Sequence, residues 1–172
     1  MDMTTPNLPV SLTVAVFAAV ALAGTHALAD EGGLDMFVGR WDLRVQILQP
    51  ERKVLNYSET YEWVLDRKFV RGHTGRKPDG TEDIVFGTYD AKVDGYPFWI
   101  FSSTGSYTYL PPGSFDARRR AMDWKSPAEW DISYRSRCLF PDARTRRCTL
   151  IMKNWKGKVL LEQEWTAVRR DD

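Results

Sequence analysis

Apolar and polar residues alternate with a period of two along most of this chain. Trp41, Leu43, Val45 and Ile47 are separated by Asp42, Arg44 and Gln46, the pattern of a strand with one buried face. Trp130, Ile132 and Tyr134 alternate in the same way with Asp131, Ser133 and Arg135, and Cys148, Leu150 and Met152 fall on one face with Thr149 and Lys153 on the other. Val159, Leu161, Trp165 and Ala167 share a face near the end. From residue 30 onward no stretch sustains a helical period. Seven Trp, seven Tyr and eight Phe in 172 residues strengthen the β reading, because aromatic side chains favour half-buried pleated surfaces. About ten short strands, joined by turns such as Pro50-Glu51-Arg52-Lys53 and Lys77-Pro78-Asp79-Gly80, argue for an up-and-down antiparallel meander. Closure removes the two edges of such a sheet, so the expected fold is an all-β barrel of eight to ten strands, with room for side chains and at most one small ligand. An immunoglobulin-like sandwich fits less well, since the turns are short and no long Greek-key crossover is visible.

Individual strands carry further expectations. Lys68 to Arg76 reads as a strand with Phe69, Arg71 and His73 on one face. Tyr96 to Ser103 is nearly continuously apolar, which marks either two covered faces or an exposed patch. Tyr107 to Leu110 and Phe115 to Trp124 read as two strands interrupted by Pro111-Pro112-Gly113, with Arg118, Arg119 and Arg120 in the second.

Residues 1–29 read as a secretory signal. Val10 to Ala23 is apolar apart from Ser11 and Thr13, and Ala27-Leu28-Ala29 is a small-x-small cleavage site that would start the mature domain at Asp30. No Lys or Arg precedes the apolar run, which is short of the roughly 20 residues needed to span a membrane. Residues 30–172 are then expected as one periplasmic or secreted domain with no stable membrane span. In that compartment Cys138 and Cys148, ten residues apart around the turn-like Pro141-Asp142-Ala143-Arg144, are expected to form a disulfide across a hairpin. A loop that short gives a modest gain, on the order of 2 to 3 kcal/mol. The formal net charge of +1 gives no reason to expect nucleic acid as a partner.

Several segments together resemble the lipocalin-like bacterial domains of unknown function in the calycin superfamily. They are Phe37-Val38-Gly39-Arg40-Trp41, Trp63-Val64-Leu65-Asp66-Arg67-Lys68-Phe69-Val70, Gly87-Thr88-Tyr89-Asp90, Trp99-Ile100-Phe101-Ser102-Ser103-Thr104-Gly105, Arg120-Ala121-Met122-Asp123-Trp124 and the closing Arg169. Phe115 and the Pro111-Pro112 pair depart from the family pattern. The resemblance implies a small barrel in which the tryptophan of Gly39-x-Trp41 is covered by Arg169 from the final strand, a cation–π contact that closes one end. It supplies no catalytic residues, metal or cofactor.

Three functional readings follow. In the first, a small apolar or amphipathic molecule binds among Tyr61, Trp63, Phe98, Trp124 and Trp130, with Arg120 turned inward toward an anionic group. The second is an enzyme working in the same cavity through His73, Arg71 or Glu59, with Tyr57, Tyr61 and Glu62 as further polar groups. One histidine without a paired Cys, Asp or second His is thin support for it. The third is a filled barrel whose exposed aromatic strand meets a partner. Nothing in the sequence has the arrangement of a Ser-His-Asp triad, a phosphate loop or a metal cluster.

Overall fold

The computed structural model describes residues 32–171; the signal-peptide reading of residues 1–29 lies outside them. A short helix, α1 (Gly32–Asp35), precedes ten strands: β1 (Gly39–Gln49), β2 (Lys53–Val64), β3 (Phe69–Thr74), β4 (Asp83–Gly87), β5 (Tyr96–Ser102), β6 (Tyr107–Asp116), β7 (Ala121–Lys125), β8 (Ile132–Leu139), β9 (Thr145–Asn154) and β10 (Val159–Arg169). Each strand pairs antiparallel with the next, and β10 returns to β1 to close the barrel. The all-β up-and-down barrel expected from the alternation is thus what the chain forms. On β1 the inward row is Trp41, Leu43 and Val45, while Asp42 and Arg44 face out. Among the described residues no helix is long and apolar enough to cross a membrane.

One end of the barrel is plugged by the segment before β1. Leu34 and Phe37 are buried, and the Phe37 ring packs against Tyr61, Phe98 and Phe140 with centroids 5.1–5.7 Å apart. Trp41 Nε1 donates to the Phe37 carbonyl at 2.7 Å. The Arg169 guanidinium lies 4.5 Å from the centre of the Trp41 ring, and its Nη1 donates to the Val38 carbonyl at 2.6 Å. Asp35 fastens α1 from outside by accepting from Trp63 Nε1 at 2.7 Å and from Arg67 at 3.0 Å.

Three glycines make space for aromatic side chains at this end. Gly72 on β3 is the cross-strand partner of Tyr61, and a Cβ there would lie 2.4 Å from the ring. Gly87 stands in the same relation to Phe98, at 2.5 Å, and a Cβ at Gly113 would lie 2.5 Å from both the Trp124 ring and the Asp123 carbonyl. The rings lie flat over bare backbone, which covers an inward position that offers no side chain of its own.

The expected break at Pro111-Pro112-Gly113 does not occur. β6 runs unbroken from Tyr107 to Asp116, with a register shift against β5 between Tyr96 and Phe98 that absorbs the prolines. Its ladder with β7 covers only Ser114–Asp116, so the stretch containing Pro111 and Pro112 pairs on one side alone. A missing N–H is tolerated at such an irregular edge. The break falls instead at Ala117–Arg120, which puts the three arginines in a turn rather than in a wall strand.

Candidate ligand cavity

Above the plug the barrel encloses a cavity of about 420 Å³, within the roughly 300–1,000 Å³ usual for small-molecule sites. Its floor is made by Phe37, Tyr61, Phe98, Trp124 and Arg146, and its wall by Leu43, Val45, Val85, Ile100, Leu110, Met152 and Trp165. Alternate positions on the strands supply these residues, so the period-two pattern is the direct cause of an apolar lining. The Cys138–Cys148 disulfide, expected from the sequence, joins directly opposed positions of β8 and β9, and both half-cystines line the cavity.

The polar groups of the lining are few. Tyr57, Glu59 and Thr74 face in from β2 and β3, Asp83 from β4, Thr108 from β6, and Tyr134, Ser136 and Gln163 from β8 and β10. Asp83 is already held by Lys77 at 2.6 Å. Burial, reinforced by the nearby Asp83 carboxylate, pushes the Tyr57 hydroxyl up to about 12. Burial also raises Tyr61 and Tyr134. All three are therefore neutral at physiological pH. The Tyr134 hydroxyl is buried without a hydrogen-bond partner among the protein groups.

At the floor lies a buried ion pair. Arg146 on β9 is 2% exposed and donates through Nη2 to Glu59 on β2, itself 6% exposed. The guanidinium also sits 5.1 Å from the rings of Phe37 and Trp41 and 5.6 Å from that of Tyr61, so the charge that burial penalises is met by a carboxylate and three aromatic faces. Burial lowers the Arg146 pKa from its ordinary value, but a guanidinium starts so high that it stays charged at neutral pH. Its Nε and Nη1 have no partner among the protein groups.

The candidate residues scatter when placed on this geometry. Tyr61, Phe98 and Trp124 line the cavity, as do Tyr57 and Glu59. Arg71 and His73 do not, and the expectation that they face inward is corrected: Tyr61 pairs with Gly72, so the inward row of β3 is Val70, Gly72 and Thr74, and its neighbours point outward. Arg71 pairs with Glu62 on the outer surface, and His73 lies 3.7 Å from Glu82. Arg120 is likewise not inward; it sits in the β6–β7 turn at positive φ, with Nε donating to the Phe140 carbonyl at 2.9 Å. Trp63 belongs to the closed end beside Asp35. Trp130 is exposed in the loop before β8, its ring 6.3 Å from that of Tyr134. Arg146 is the residue that sequence reasoning missed, although it stands two positions before Cys148 and therefore on the inward row.

The apolar run of β5 resolves into two faces. Tyr96, Phe98 and Ile100 point inward. Trp99 and Phe101 point outward and join Phe86, Tyr107 and Tyr109 in an aromatic strip across β4, β5 and β6, with centroid spacings of 5.4–6.4 Å.

No protein-family model matches the chain, and no curated protein does. Among solved structures the chain is similar to an S-type phycobiliprotein lyase from Guillardia theta, at 12% identity and a TM-score of 0.49 over 84% of this chain and 94% of that one. It is also similar to EF1p2_mFAP2b bound to DFHBI, at 9% identity and a TM-score of 0.38 over 80% of this chain and 97% of that one. A third is a protein of unknown function from the DUF3598 family of Nostoc punctiforme, at 6% identity and a TM-score of 0.26 over 80% of this chain and 98% of that one.

Proposed function

We propose that this chain is an exported, lipocalin-like barrel of the calycin type that binds one small apolar or amphipathic molecule in its interior. The observation that carries the reading is the interior cavity of about 420 Å³, lined mostly by apolar and aromatic side chains. Such a lining stabilises an apolar body by removing it from water, while sparse polar groups orient it. The plug of Phe37, Trp41 and Arg169 blocks one end, so the ligand enters from the opposite rim, near Trp130. Export rests on the leader-like residues 1–29 and fits the internal disulfide, which persists in oxidising compartments.

Native mass spectrometry of protein purified from its host tests the reading. A bound small molecule, released on unfolding and displaced by an apolar dye, is the expected result. Protein that carries nothing and leaves a panel of apolar dyes unbound would sink it. The enzyme reading loses Arg71 and His73, which lie outside the cavity. A partner-binding reading keeps one support, the outer aromatic strip on β4–β6; a strictly monomeric protein that retains no partner would count against it.

A further inference from the structure

Resting on that cavity reading, we infer that the ligand is uncharged and carries a hydrogen-bond-accepting oxygen, such as the carbonyl of an ester, amide or ketone, which docks on Arg146. Two observations lead there. Arg146 lines the cavity floor and is almost fully buried, yet its Nε and Nη1 donors have no partner among the protein groups. The rings of Phe37, Trp41 and Tyr61 attract its charge but accept N–H hydrogen bonds only weakly. Buried donors of this kind are normally satisfied, so the site is built to meet an acceptor.

The charge balance selects which acceptor. Glu59 already neutralises Arg146 through Nη2, and Asp83, the other carboxylate on the lining, is matched by Lys77. Tyr57, Tyr61 and Tyr134 have raised pKa values and are neutral. Arg169 acts on Arg146 from beside Trp41, outside the lining, so on the lining itself a carboxylate ligand would leave one net negative charge, which burial disfavours. A neutral carbonyl satisfies the free donors and leaves the balance intact. The apolar remainder of the molecule lies against Leu43, Val45 and Met152.

The test uses the full-length protein and three probes with similar chains: decane, methyl nonanoate and decanoate, titrated at neutral pH and followed by tryptophan fluorescence, which Trp124 and Trp165 report. Methyl nonanoate is expected to bind at least about tenfold more tightly than decanoate, and its carbonyl stretch in the infrared to shift to lower frequency when bound. In the double variant Arg146→Met with Glu59→Leu, the ratio of ester to decane affinity is expected to fall about tenfold, the worth of one hydrogen bond to a charged donor. Tighter binding of decanoate than of the ester, or an unshifted carbonyl band, would overturn the inference while leaving the cavity reading in place. Failure of all three probes to bind would remove the cavity reading and this inference with it. Should the double variant not fold, the ester-to-decanoate comparison and the infrared shift on the wild-type protein still decide the matter.

Discussion

Arg146 reaches Glu59 across the floor of the barrel, from β9 to β2, passing the small side chain of Ala167. Ala167 is the cross-strand partner of Arg146 on one side and of Leu43 on the other, and it is fully buried. A larger residue there would fill the space through which the guanidinium extends. The pair thus ties together strands separated by β10 and β1, and it sets the polarity of the deepest part of the cavity.

Breaking this pair from one side is costly. Arg146→Met leaves the Glu59 carboxylate buried without its partner and is expected to cost about 3 to 5 kcal/mol. The double change Arg146→Met with Glu59→Leu removes both charges and is expected to recover most of that loss, because a buried ion pair and an apolar replacement of similar volume are often equivalent. Urea unfolding of wild type and the two variants checks this. A double variant as unstable as the single one would show that Arg146 acts mainly through its three aromatic contacts.

The glycine seats give a second expectation. Gly87→Ala puts a methyl group 2.5 Å from the Phe98 ring, and Gly72→Ala puts one 2.4 Å from Tyr61. Neither ring can retreat without disturbing Phe37, against which both pack. Each substitution is expected to cost about 1 to 3 kcal/mol by overpacking. Combining Gly87→Ala with Phe98→Leu relieves the clash, and should cost less than the sum of the two single changes in thermal or urea unfolding. Strict additivity would mean that the ring is not what the new methyl meets.

The sequence made the barrel legible because alternation repeats wherever one wall of a strand is buried, as in Trp41-Leu43-Val45 and again in Cys138, where the inward row continues to its partner Cys148. On β3 the alternation misleads for a physical reason: Gly72 occupies the inward position where an apolar side chain would mark the face, and Tyr61 from the neighbouring β2 supplies the missing bulk. With that mark absent, Arg71 and His73 looked like an inward row. The prolines of β6 suggest a break because a central strand excludes them, whereas this stretch pairs on one side only. Arg146 was invisible because a charged residue on an apolar row reads as exposed unless its partner is known, and Glu59 lies 87 residues away. Pairings that depend on closing the barrel leave no local trace.

The disulfide offers a third test. Cys138 and Cys148 are 4% and 2% exposed and face the interior, so a protein-sized reductant such as thioredoxin, too large for the cavity, reaches them only when the barrel opens. Reduction under native conditions is expected to be slow and to accelerate through the unfolding transition. Once the bond is gone, as in Cys138→Ala with Cys148→Ala, the loss of loop constraint is expected to lower stability by about 2 to 3 kcal/mol. Rapid reduction of the native protein by thioredoxin, followed by free-thiol titration, would contradict the burial of the bond.

Alkaline stability isolates Tyr57. Its hydroxyl has a folded-state pKa of about 12, against about 10 for an unfolded tyrosine. The unfolded chain releases this proton first, so the contribution of Tyr57 is fully present below about pH 10 and is lost as pH rises through 12. Two units correspond to about 2 to 3 kcal/mol. Tyr61 and Tyr134 shift in the same direction, so the wild-type slope mixes several groups and a comparator is needed. Tyr57→Phe removes one of them and keeps the ring. The variant is expected to lose stability less steeply than wild type between about pH 10 and 12, measured as urea unfolding free energies at fixed ionic strength. Parallel slopes for the two proteins would mean that the Tyr57 hydroxyl titrates as freely in the barrel as in the unfolded chain, and that this side of the cavity is open to solvent.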